Sequence, residues 1–219
     1  MYNEFAVSNA VAKKEAFEIT VRPPRADEAR QVEVLLENAF RNNPIVSLMF
    51  GGLPRAGRLK LLNRWMVKAP RVETRLAAAG DRILGAMKYA DHPYCETRGW
   101  ASVRFAFDCA RAWGWRSLVN IPILKFGDAH PKWHHRHLMI IGVAPDWAGR
   151  GVGSRLLSHF LEDADADQVT AMLETDTPRA KALYERFGFR VFKEQNIRKL
   201  KFWYMKREAG QNGATARSA

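Results

Sequence analysis

Residues 142–162 read GVAPDWAGRGVGSRLLSHFLE. The stretch begins as the end of a strand, passes through a loop with glycines at 149, 151 and 153, and continues as a helix. Leu156, Leu157, Phe160 and Leu161 recur at helical spacing and form its inward face. The first amides of a helix have no intrahelical acceptor, and the positive end of the helix dipole lies behind them. Such an end binds phosphate. Glycine permits left-handed dihedrals and lets the backbone approach a ligand closely. Arg150 adds positive charge. A P-loop requires Gly-Lys-Ser or Gly-Lys-Thr, which is absent; a dinucleotide fingerprint requires a third glycine where Ser154 stands. On the loop alone, phosphate binding and a turn that only packs helix against strand are equal readings.

The flanking sequence extends the pattern in both directions. HLMIIGV, residues 137–143, is a continuous apolar run, expected as a central strand buried on both faces. QVTAMLE is a further strand, Pro178 opens a helix with Ala180, Leu183, Tyr184 and Phe187 on one stripe, and Gly188 ends it. FRVFKE and LKFWYMKR close the sheet. Upstream, FEITVRP (17–23) reads as a strand, and Val32, Leu35, Leu36, Ala39 and Phe40 mark a helix that Pro44 breaks. Asp27 and Glu28 sit where the start of that helix favours negative charge. RAGRLKLLNRWMVKA is a second helical stretch, and residues 71–90 form a hairpin turning at Gly80-Asp81. The segment 91–133 reads as a helical insertion, with one or two helices around 98–117. The alternation of strands and helices predicts an α/β (α+β) fold built on a mixed sheet.

Length, composition and charge bound the class. A chain of 219 residues is most simply one domain. Residues 1–16 read as a flexible arm, 17–207 as a single domain and 208–219 as a disordered tail, with no internal repeat or long linker. Cys95 and Cys109 make no disulfide framework, and no apolar run spans a bilayer, so the expectation is a cytoplasmic protein without membrane attachment. The formal charge of +12 attracts polyanions. Its lysines and arginines are scattered and carry no RNA-binding signature, which argues against a specific nucleic-acid partner.

GVAPDWAGRGVGSRLL followed by LETDTPRAKALYERFGF resembles the GNAT superfamily of acyl-CoA-dependent N-acetyltransferases. Val143 and Pro145 match the family's strand end, and Gly151 and Gly153 its loop glycines; Ala148 departs from the usual Gln or Arg. Ala180, Tyr184, Gly188 and Phe189 match the second motif, where Thr177 replaces a frequent Asn. HPKW, IGVAPDW and LETDTPRAKALYERFGF also resemble the puromycin N-acetyltransferase-like group. The resemblance implies a twisted central sheet of six to seven strands flanked by helices. It implies acetyl-CoA as co-substrate, no metal, and a primary amine, chiefly of a small molecule, as acceptor. Acyl-CoA binding is implied for Ile141, Gly142 and Val143 on the strand, for Gly149, Arg150, Gly151, Val152, Gly153 and Ser154 in the loop, and for Thr177 and Ala180 on the later helix. Arg155 and Lys181 are weaker phosphate contacts.

Tyr184 is implied as the proton donor to the leaving thiolate; its competing reading is a core tyrosine. Glu174, at a strand end where open α/β sheets place ligands, is a candidate base or an anchor of the substrate ammonium. His130, His134, His135 and His137 match no standard metal spacing; His137 is an alternative base. Trp100, Trp113, Trp115 and Trp133 either line an acceptor pocket or pack an inserted helix. A non-catalytic acyl-CoA sensor and acetylation of a protein amino group remain alternatives, and a monomer and a homodimer are equally compatible.

Overall fold

A computed structural model describes residues 18–50, 71–94 and 131–211, together with the helical positions 103, 104, 107, 110 and 111. The expectations for residues 1–16, for 55–69, for most of the insertion and for 212–219 lie outside the described residues.

The chain runs β1 (Thr20–Arg22), α1 (Ala29–Ala39), α2 (Pro44–Phe50), β2 (Glu73–Ala79), β3 (Arg82–Asp91), β4 (Arg136–Val143), a short 3-10 turn (Pro145–Trp147), α3 (Val152–Ala166), β5 (Ala171–Thr175), α4 (Pro178–Arg186), β6 (Arg190–Ile197) and β7 (Leu200–Arg207). Among the described residues these strands form a seven-stranded sheet in the order β1-β2-β3-β4-β5-β7-β6. The mixed α/β sheet and the hairpin at Gly80 are as the sequence predicts. Every neighbouring pair is antiparallel except β4 and β5.

Helices cover both faces. On one, α3 buries Val152, Leu156, Leu157, Phe160, Leu161 and Ala164 against Leu84, Met87, Tyr89 and Leu138, and Tyr184 of α4 joins this cluster. On the other, Val32, Leu35 and Leu36 of α1 cover Leu76, Ala86 and Ile140, while Ile45 of α2 packs on Met172, Phe202 and Tyr204. Burying one such leucine contributes about 1.5–3 kcal/mol, so these stripes hold the helices to the sheet.

Two local readings are corrected, at Pro44 and at the chain's end, and the acid at the start of α1 has an added role. Pro44 opens α2 as its first residue, while α1 ends earlier at Ala39. Glu28 stands at the N-cap of α1, as the sequence predicts, without a side-chain capping bond. Its carboxylate instead accepts from Arg22 at 2.6 and 2.8 Å and from the Arg25 amide at 2.6 Å, tying β1 to α1. The start of the expected tail is held to the domain. Glu208 accepts from Thr170 at 2.7 Å, and the Gly210 amide donates to Asp165 at 2.9 Å.

Two features shape the centre of the sheet. In the β3–β4 register Lys88 faces Ile140 and Tyr89 faces Leu138, so Met139 is an extra residue, a β-bulge. β4 and β5 pair only at Arg136↔Ala171 and His137↔Met172. Beyond those pairs the two strands part, and the β5-facing edge of residues 138–143 has no partner strand among the described residues. Arg136 anchors the closed end: it donates to Asp91 at 2.7 and 3.1 Å and to Asp167 at 2.8 Å.

Candidate active site

The opening between β4 and β5 is bordered by the glycine loop, the end of β5 and the start of α4. Gly149 and Gly151 adopt φ of 79° and 82°, and a Cβ built at either meets nothing within 4 Å. The space beside the loop is therefore open. Gly151 is the N-cap of α3 and no side chain caps that helix. The amides of Val152, Gly153 and Ser154, in its first turn, are left for an outside acceptor. Ile141 and Val143 are partly buried and pack on the α3 cluster, and among the described residues no strand pairs with their edge toward β5.

Gly142 is glycine for a different reason. A Cβ there would lie 2.8 Å from Leu36 Cδ2 and 3.1 Å from Ala39 Cβ, so α1 sits directly against its backbone. The loop is braced by Trp147, which is 9% exposed. Arg82 and Arg150 stack on its ring at 5.4 and 5.1 Å, and Arg82 is also bonded to Asp146. Arg82 was missed by the sequence reading, because an arginine opening a hairpin strand resembles any surface arginine.

The α1/α2 face of the sheet carries the titratable groups. His137 Nε2 lies 2.6 Å from Glu174 Oε2, and His137 is 4% exposed. Two candidates that the sequence left as alternatives thus form one hydrogen-bonded pair. Tyr204, opposite Glu174 on β7, donates to Gln195 at 3.2 Å. Burial and the nearby Glu174 charge push the Tyr204 hydroxyl up to about 12. Tyr204 went unnoticed as a polar group because LKFWYMKR alternates like any half-buried strand, with Phe202 and Tyr204 on one face.

Tyr184 lies on α4 and is 7% exposed, its ring edge-on to Phe189 at 5.9 Å. Burial raises its pKa well above the ordinary phenol value, and the Glu174 and Asp176 carboxylates raise it further. The hydroxyl is therefore protonated at neutral pH, as a proton donor must be. Thr177 caps α4 in an extended conformation, with its amide donating to Thr175 Oγ1 at 3.3 Å. Asp176 accepts from the Ile45 amide at 2.9 Å and from Asn43 at 3.4 Å, which binds the β5–α4 turn to α2. Ala180 is partly buried beside the α3 cluster. Lys181 pairs with Glu185 on its own helix at 2.5 Å, and Arg155 is exposed.

Of the four histidines, His135 and His137 keep their ring centroids 6.3 Å apart. His130 lies outside the described residues and His134 is exposed. His135 is fully buried, with Nδ1 2.8 Å from the Trp133 carbonyl, and burial lowers its pKa to about 4. Among the described residues no group of three or more His, Cys, Asp or Glu is placed to hold a metal ion, and no helix is long and apolar enough to cross a membrane. Trp133 is half-exposed, packing on His135 and Phe192.

Residues 118–191 match the family model for an acetyltransferase (GNAT) domain. The chain is 35% identical over 75 residues to a mycothiol acetyltransferase of Corynebacterium aurimucosum; the match takes in 30% of this chain and 25% of that relative, so only a quarter of the relative's length is spanned. Among solved structures, arylalkylamine N-acetyltransferase 2 from Aedes aegypti superposes with a TM-score of 0.68 at 13% identity, over 87% of this chain and 99% of that one. A structure described as histone acetyltransferase HPA2 and related acetyltransferase, from Corynebacterium glutamicum, gives 0.65 at 20% identity, over 87% and 96%. These likenesses carry the fold. The likeness to the puromycin group rests on the sequence phrases alone. The domain match falls on the strand–loop–helix unit that borders the opening, and the sheet around it has the fold of these acetyltransferases.

Proposed function

We propose that the protein is an N-acetyltransferase that moves the acetyl group of acetyl-CoA to a primary amine of a small molecule. The parting of β4 from β5 carries the reading. It leaves a strand edge for an amide-bearing arm to pair with, an uncapped helix start beside it for a diphosphate, and a buried phenol at the opening's other border. Residues 149–154 bind the diphosphate through backbone amides. Ile141 and Val143 offer their strand edge to the pantetheine amides. Thr177 and Ala180, on the far border, pack along the same arm.

The chemistry follows from the groups at the opening. A neutral amine nitrogen attacks the thioester carbonyl carbon, and an amide of β4 stabilises the developing oxyanion. The amine's proton passes to the Glu174–His137 pair, directly or through a water. The C–S bond breaks, and the leaving thiolate takes the Tyr184 proton. Hydrogen bonding between His137 and Glu174 fixes both side chains, so the acceptor's proton meets a positioned pair.

The likeness to an arylalkylamine N-acetyltransferase supports a small-molecule amine acceptor. The low cysteine content supports a reducing, cytoplasmic location. Incubation with acetyl-CoA and a panel of amines, with a thiol reagent reporting free CoA, tests the proposal. Amine-dependent CoA release is expected. Binding of acetyl-CoA without release on any amine would favour the sensor reading.

A further inference from the structure

Lys88 has no place in the chemistry above. It is 1% exposed, and its Nζ has no hydrogen-bonding partner among the described residues. A buried ammonium left unpaired costs several kcal/mol, and a hydrophobic side chain of the same volume would avoid that cost. Among the described residues, the carboxylate of Glu33 on α1 favours its charged form through space.

Lys88 faces Ile140, and Ala90, two residues on, faces His137; all four share the α1/α2 face of the sheet. Thr74 flanks Lys88 from β2. His137 lies on the adjacent strand, roughly 5 Å away laterally and two residues, roughly 7 Å, along. Lys88 and the His137–Glu174 pair therefore share the face opposite α3, on adjacent strands whose backbones at Lys88 and His137 lie roughly 8 Å apart.

We infer that Lys88 is the anion-recognition point of the acceptor site, and that the acceptor is an amine carrying a carboxylate a few bonds from its nitrogen. This inference rests on the acetyl-transfer reading. The acidic pair receives the amine end and the buried ammonium the acid end. The complementary charges fix which nitrogen reaches the thioester. A formal charge of +12 also draws an anionic acceptor toward the protein.

The test compares α-, β- and γ-amino acids with their amides and with amines of equal length lacking the acid. Wild type should favour the best acid over its amide by at least about tenfold in kcat/KM, as a charge-assisted bond implies. In K88M that ratio should fall toward one. Comparable rates for acids and amides in wild type, or an unchanged ratio in K88M, would overturn the assignment and leave acetyl transfer standing. Melting of wild type and K88M with the same acids, without acetyl-CoA, is read separately. A shift seen with acid and not amide, and lost in K88M, supports the site even if no amine releases CoA, a result that would sink acetyl transfer alone. Equal shifts with acid and amide, or none, would overturn the Lys88 assignment.

Discussion

At the scale of single residues, the proposed chemistry depends on two proton positions. Tyr184 is buried and protonated, so replacing it with Phe removes a proton and little volume. Steady-state rates of Y184F should show kcat reduced by about 100-fold with KM for acetyl-CoA within about twofold. Equal rates would remove Tyr184 as the acid. E174Q should lower kcat/KM by about 100-fold and abolish the acid limb of its pH profile, measured from pH 5 to 9. Lys88 provides a stability signature. Burial lowers its pKa to about 8 from 10.5. Between those values the unfolded chain holds more protons than the folded one, so stability rises with pH across the window. Urea titrations from pH 8 to 10.5 should show this rise in wild type and lack it in K88M.

At the scale of elements, the loop and the strand before it use glycine in opposite ways. Gly151 lies in the left-handed region with open space around it. G151A should cost about 1 kcal/mol in denaturant titration, from backbone strain alone, and weaken acetyl-CoA binding by calorimetry. Gly142 is crowded, and G142A should cost about 1–3 kcal/mol by forcing α1 off the sheet. The sequence displayed the elements well because their signals are local: Leu156, Leu157, Phe160 and Leu161 at helical spacing, the run into Val143, and Pro178 at a helix start. What it could not display is long-range. His137 and Glu174 are 37 positions apart, and only the parallel pairing of β4 with β5 brings them to 2.6 Å. The contact of Gly142 with Leu36 and the stacking of Arg82 on Trp147 depend on packing between distant elements in the same way. Glu28 stands at the helix start as expected, but its pairing with Arg22 on β1 is likewise a packing contact.

At the scale of the whole molecule, the sheet divides the labour. The α3 side presents the loop and Tyr184, the α1/α2 side presents Lys88, His137 and Glu174, and the parted strands join them. With a charge of +12, KM for acetyl-CoA should rise as salt is added from 50 to 500 mM, because screening weakens attraction of its phosphates. The most direct test is a crystal structure with CoA bound. The account predicts the diphosphate on the amides of residues 149–154, the pantetheine arm along the free edge of β4, and the sulfur beside the Tyr184 hydroxyl. A cofactor seated elsewhere, or a phenol turned from the sulfur into the α3 core, would contradict it.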